Sequence, residues 1–138
     1  MSKLKLQIIT PKKVILEQDI DSLTAPAKDG EITVLPQHVP LFTLLKEGII
    51  TVRHDKDESF FSIGGGYLET DGKKVHLLVS RAYHQDELDE AEIKKAQEYA
   101  QKMLKEAPGE IERHQAMEQL RRSIIDMKLI QKARKRKV

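Results

Sequence analysis

The feature that most restricts what this 138-residue chain can fold into is a change of hydrophobic period at Gln85. Before it, apolar and polar residues alternate. Leu4, Leu6 and Ile8 are separated by Lys5 and Gln7, the period of two that marks a strand with one buried face. The runs KVILEQ, DIDSLTA, EITVLP, GIITVRH, SFFSI, GYLET and KVHLLVS also read as strands, most of them bounded by Gly, Pro or Asp. Asp71-Gly72, between GYLET and KKVHLLV, predicts a two-residue type I′ hairpin, because both residues tolerate positive φ. Short strands with turns at this spacing predict an antiparallel β-sandwich or flattened barrel over residues 1–84.

From Gln85 onward the period is helical. Leu88, Ala91, Ala96, Tyr99, Ala100, Met103, Leu104 and Ala107 fall along one stripe, with Asp86 placed to cap the start. The acids Asp86, Glu87, Asp89, Glu90 and Glu92 complement the positive end of the helix dipole, and Pro108-Gly109 stops the helix. A second helix begins near Glu110, with Met117, Leu120, Ile124, Met127 and Gln131 spaced 3-4-3-4. It runs into Lys132, Arg134, Lys135, Arg136 and Lys137, the favourable sign for a C-terminus. Residues 85–138 are therefore expected to form an antiparallel two-helix hairpin. Its seam leans on alanine, which buries little area, so it should open at modest cost.

Charge follows the same division. Residues 1–84 carry 11 Lys/Arg and 11 Asp/Glu, residues 85–119 carry 5 and 10, and residues 120–138 carry 8 and 1. A neutral body followed by an acidic and then a basic segment suggests two modules with different work. The absence of cysteine excludes disulfides and thiolate metal sites and points to a reducing compartment. No apolar run approaches the ~20 residues a spanning helix needs, and the N-terminus lacks a signal-peptide core; a soluble, intracellular protein is expected.

Chemistry-bearing motifs are few. Gly64–Gly66 could suggest a phosphate loop, but YLETDGKKV follows where a helix should open. A strand bend where another backbone comes close explains the glycines better. His38, His54, His76, His84 and His114 show no ligand spacing, so no metal site is expected, and no acid–base or nucleophile set stands out. The basic KARKRKV tail leaves open a nucleic-acid-binding adaptor with a β domain and a helical arm, although its segment has no aromatic stacking platform. PQHVPL, with Pro36 and Pro40 flanking His38, is either a strand-ending turn or a stiff surface for a partner.

The order GEITVLPQHVPLFTLLKEG, GGGYLE, VHLLVSRA, ELDEAE resembles the epsilon subunit of bacterial and chloroplast F-type ATP synthases, over essentially the whole chain. The resemblance implies a non-catalytic rotor subunit with no cofactor of its own, peripheral to the membrane: cytoplasmic in a bacterium, stromal on a thylakoid. It implies an antiparallel β-sandwich of about ten short strands that binds the gamma subunit, with Thr10, His38 and Thr43 at gamma-facing positions, and rests on the ring of membrane c subunits through Glu31. It further implies a hairpin that either folds down or extends toward the catalytic alpha and beta subunits and inhibits hydrolysis. Arg121, Arg122, Lys128, Lys132 and Arg134 are the candidates for that contact, and nucleic acid is not an expected partner.

Two departures from the family pattern matter. Thr33 and Gln37 stand where glycines are usual, which should alter local turn geometry. In ATP-binding members the first helix opens Ile/Leu-Asp-x-x-Arg-Ala; here Glu92 and Ile93 replace the Arg-Ala. A carboxylate in place of a phosphate-facing cation repels a triphosphate, so no ATP site is expected.

Overall fold

A computed structural model describes residues 2–136, and the chain divides into two compact units after Gln85. The first holds ten strands: β1 (Leu4–Ile9), β2 (Val14–Ile20), β3 (Ser22–Ala27), β4 (Gly30–Val34), β5 (Leu41–Leu45), β6 (Gly48–His54), β7 (Asp57–Ile63), β8 (Gly66–Thr70), β9 (Lys74–Val79) and β10 (Ala82–His84). They form one sheet in the order β10-β7-β6-β3-β5-β8-β9-β1-β2, with β4 paired to β3. The ladders are antiparallel except β1 against β9, which run parallel. Strands from both ends of this order share one core, including Leu4, Leu6, Ile20, Ile50, Ile63, Leu77 and Ala82. The sheet therefore folds back on itself as a sandwich.

Several local expectations are corrected. The run DIDSLTA is not one strand: β2 ends at Ile20 and β3 begins at Ser22. The β8–β9 connection is not a type I′ turn, because Gly72 has φ +92° but Asp71 does not have positive φ. The Asp71 carboxylate instead accepts from the Lys73 and Lys74 amides at 2.9 and 2.8 Å, which stabilises a wider loop. Those two bonds also hold the Asp71 carboxyl below its ordinary pKa, the one from Lys74 most of all. The glycine run behaves as a close-approach segment: a Cβ on Gly66 would lie 2.7 Å from Val79 Cα.

The second unit contains α1 (Glu90–Glu106) and α2 (Glu110–Arg136), preceded by a 3₁₀ turn at Gln85–Glu87. The N-cap is Asp89, not Asp86: its carboxylate accepts from the Ala91 and Glu92 amides at 2.9 and 3.4 Å. Pro108 and Gly109 separate the helices. Arg134 near the end of α2 pairs with Glu90 at the start of α1, so the two run antiparallel.

The buried faces are not the ones that large apolar residues mark out. In α1 the buried residues are Ile93 and Ala100, while Tyr99 is exposed. In α2 they are Ala116, Ser123, Asp126, Leu129 and Ala133, while Met117 and Ile124 are exposed. Small residues let backbones approach closely, and that geometry selects a face offset from the Met117–Ile124 stripe. Of the tail cations, Lys137 lies outside the described residues.

Candidate partner-docking face

The turn at residues 35–40 is built rigidly. Pro36 and Pro40 fix φ at two positions, and Gln37 takes the left-handed conformation, φ +69°, at the place where the sequence departs from glycine. The His38 amide donates to Leu35 O at 3.1 Å, closing the turn, and the Gln37 amide donates to Gly72 O at 2.7 Å. A Cβ on Gly72 would sit 2.6 Å from His38 O, so the turn lies directly against the β8–β9 loop. His38 is half-buried and its Nδ1 stands 2.6 Å from Val39 O. Thr33, the other departure, places its hydroxyl 3.0 Å from that of Thr24, which also accepts from Arg53 Nη1 at 3.1 Å.

The turn leads into β5, LFTLL, whose Leu41, Thr43 and Leu45 face the core side and whose Phe42 and Leu44 point outward. Phe42 is 61% exposed and Leu44 50%. Strand registers extend this outward face across the sheet. Leu44 is paired with Tyr67, Tyr67 with Leu78, Leu78 with Ile9 and Ile9 with Val14. Five apolar or aromatic side chains thus form one row over β5, β8, β9, β1 and β2, roughly 19 Å from first to last at the usual strand spacing. Phe42 packs on Tyr67 with ring centroids 5.1 Å apart, and Val39 and Leu35 of the turn add exposed apolar surface. Beyond Phe42 the neighbouring row is polar: Glu69, His76, Gln7 and Glu17, with Gln7 Nε2 donating to Glu17 Oε1 at 2.6 Å. A continuous apolar row edged by polar residues makes this face the candidate for protein docking.

The proposed gamma-facing residues take distinct places on this framework. Thr10 follows Ile9 in the β1–β2 turn, where its amide and hydroxyl both donate to Lys13 O. Thr43 sits between the two outward residues of β5, half-buried on the core side, its hydroxyl 3.4 Å from Leu44 O. Thr10 and His38 therefore border the row instead of forming it, and Thr43 lies on the opposite face of β5. Phe42, Leu44, Tyr67, Leu78, Ile9 and Val14 were missed by sequence reading; the breakdown of alternation in LFTLL could have flagged Phe42 and Leu44, and no local signal marks the others.

Glu31 is separate. It is exposed in the second position of β4, at the tip of the β3–β4 hairpin, where Gly30 has φ +138°. The Lys28 amide of that tip donates to Leu44 O, so Glu31 lies toward the end of β5 remote from His38.

The described residues bring together no group of three His, Asp or Glu that could hold a metal. An open cleft beside the turn is lined by Lys3, Asp21, Pro36, Gln37, Asp55 and Lys56. Lys3 Nζ stands 2.6 Å from Asp21 and 3.1 Å from Asp55, which holds its pKa above the ordinary value and that of Asp21 below. These charges neutralise one another.

In the second unit, Glu92 lies in the first turn of α1, where the helix dipole favours a carboxylate, and Ile93 is 7% exposed. Both residues thus have structural roles where ATP-binding members carry Arg-Ala. Arg121, Arg122, Lys128, Lys132 and Arg134 are all exposed on α2. Arg134 pairs with Glu90 and is the largest cause of that carboxyl's depressed pKa. No described helix is long and apolar enough to cross a membrane.

A family model described as "ATP synthase, Delta/Epsilon chain, beta-sandwich domain" matches residues 3–85. The ATP synthase epsilon chain of Moorella thermoacetica is 35% identical over 129 residues, covering 93% of this chain and 96% of its own. A chain in the OSCP/F1/c-ring assembly of the Euglena gracilis mitochondrial ATP synthase shares the fold with a TM-score of 0.75 at 24% identity, covering 87% of this chain and 76% of that one. A chain in the central stalk/c-ring structure of the Tetrahymena thermophila mitochondrial ATP synthase has a TM-score of 0.53 at 19% identity, with 62% and 69% covered. With its sandwich, its helical pair and this similarity along nearly its full length, the chain belongs to the ATP synthase epsilon-chain family.

Proposed function

We propose that this epsilon chain is a non-catalytic subunit of the central stalk, coupling the catalytic head to the membrane ring at the cytoplasmic face of a bacterial membrane. The observation that carries the reading is the outward apolar row from Leu44 to Val14, exposed at both ends and half-buried at Tyr67, Leu78 and Ile9, capped by Phe42 and the turn bearing His38. It is the surface on which the gamma subunit docks, with Thr10 and His38 at its margins and Thr43 on the other face of β5. A turn already fixed by two prolines and clipped to Gly72 loses little entropy on binding, and Phe42 and Tyr67 supply aromatic anchors. Glu31, remote from that turn, meets the polar loops of the c ring, so the sandwich grips two partners at once.

Leu44→Asp tests the docking face. The side chain is half exposed and outside the core, so the fold survives, while affinity for purified gamma subunit should drop by about 2 kcal/mol, roughly thirtyfold. Undiminished binding measured by calorimetry would refute the assignment.

The hairpin is the regulatory part. In its extended state Arg121, Arg122, Lys128, Lys132 and Arg134 approach an acidic surface of the catalytic head and slow ATP hydrolysis. Exposed pairs contribute ~0–1 kcal/mol each, so charge biases the equilibrium without setting it alone. Removing residues 110–138 should raise the ATPase activity of the assembled complex while assembly persists; unchanged activity refutes the switch. The chain itself binds no ATP, because Glu92 repels phosphate. Micromolar saturation in an ATP titration overturns that part alone.

A further inference from the structure

We infer that Asp126 is a built-in weak point of the hairpin, a buried acid with one carboxyl oxygen lacking a hydrogen-bond donor, which holds the packed state of α2 close in free energy to an open one. Asp126 is 8% exposed, and its Oδ1 is buried without a hydrogen-bond partner among the described residues. Ser123, one turn earlier on the same buried face, is committed elsewhere: its hydroxyl donates to Leu120 O of its own helix at 2.8 Å. Its only proton is thus unavailable to the acid. In the open state water donates to both carboxyl oxygens. In the packed state Oδ1 loses that donor and gains none, so Asp126 opposes the packing of its own face.

The fully buried side chains of the face supply little to offset this. Ala116, Ser123 and Ala133 are small, and Leu129 is the one large side chain among those described. Removing a single apolar contact from such a face would weaken it; removing the acid should strengthen it, because the buried oxygen without a donor goes with it. The packing inference stands on these contacts, and only its use in controlling hydrolysis rests on the switch proposed above.

Amide hydrogen exchange of the full-length chain tests it. Asp126→Leu should slow exchange of the α2 amides between Ala116 and Ala133 by about tenfold, and Asp126→Asn, which keeps the shape, should slow it in the same direction by less. Ser123→Ala should leave those rates within about twofold. Exchange that is unchanged or faster in both Asp126 variants overturns the inference, because Oδ1 then has a donor. If Asp126→Leu disturbs packing by its size, Asp126→Asn decides alone. The same variants in the assembled complex separate the two claims. Slower exchange with unaltered inhibition leaves the weak point standing and refutes the switch.

Discussion

The glycine run offers the sharpest test of the sandwich, because three adjacent positions should respond differently to the same added methyl group. A Cβ on Gly66 would lie 2.7 Å from Val79 Cα and closer still to the Leu78 carbonyl oxygen. Carbon atoms settle at about 3.5–4.0 Å, so β8 and β9 must part locally by roughly 1 Å. That displacement breaks the pairing of Gly66 with Val79 and pulls on Leu68 and Leu77, both fully buried two residues along. One or two ladder hydrogen bonds at about 1 kcal/mol each, plus overpacking at about 1–3 kcal/mol, give a loss of roughly 2–5 kcal/mol for Gly66→Ala. A Cβ on Gly64 meets chiefly the Ser80 and Arg81 side chains, which can rotate away, so that substitution should cost only about 1 kcal/mol. At Gly65 the nearest atom is Leu45 O at 3.5 Å, an ordinary contact, and φ is not positive. Gly65→Ala should therefore be neutral or stabilising by up to ~1 kcal/mol through the unfolded chain. Urea unfolding followed by NMR at the Leu68 and Leu77 amides reads the sandwich apart from the helices. A Gly66→Ala variant within about 0.5 kcal/mol of the parent, or a Gly65→Ala variant as damaged, refutes the close approach of β8 and β9.

Three further outcomes are expected. Gly72→Ala should displace the 35–40 turn, because the new Cβ meets His38 O at 2.6 Å and φ is +92°; gamma-subunit affinity measured by calorimetry should fall about tenfold, and unchanged affinity would show that the turn is not held by that loop. Gln37→Gly should stabilise the chain by up to about 1 kcal/mol, since the left-handed conformation costs an L-residue ~1–2 kcal/mol and added unfolded-state freedom returns part of it; a lower melting temperature counts against the positive φ. Arg134→Gln should raise the Glu90 carboxyl pKa toward its ordinary 4.5, seen by carbon NMR. Because the pKa is depressed in the folded chain, the stabilisation from this pair is fully present above about 4.5 and is lost as pH falls through the folded value; a Glu90 titration unmoved by the substitution refutes the pairing.

The strands written most plainly in the sequence are those with one wet face. In β1 and β9 the core residues Leu4, Leu6, Ile8, Val75, Leu77 and Val79 alternate with less buried neighbours, and the period of two is plain. β5 was hidden by its own side chains. Its outward Phe42 and Leu44 are apolar, so LFTLL shows no alternation and lacks the signal that would have marked the strand. β10 is too short, at three residues, to show any period. The row from Leu44 to Val14 was illegible because it is assembled by register across five strands, and no local pattern encodes which residue lies beside which. The helices were legible as helices but not by face, since packing chose Ala116, Ser123 and Ala133 over bulkier candidates.

That choice of face bears on how α2 could work. The side chains it fully buries are mostly small, and one is an acid with an oxygen that lacks a donor; those it exposes include Met117 and Ile124, which lie on one side of the helix. Covering such a side chain fully is worth about 1.5–3 kcal/mol, and at 44% and 37% exposed each retains a little under half of that. A surface that covered the Met117–Ile124 side could therefore gain about 1–2 kcal/mol. The flanking Arg121 and Lys128 would favour an acidic rim on that surface. Under the proposed switch, α2 is held less by complementarity than by the absence of a better surface, and the arrival of one is enough to move it.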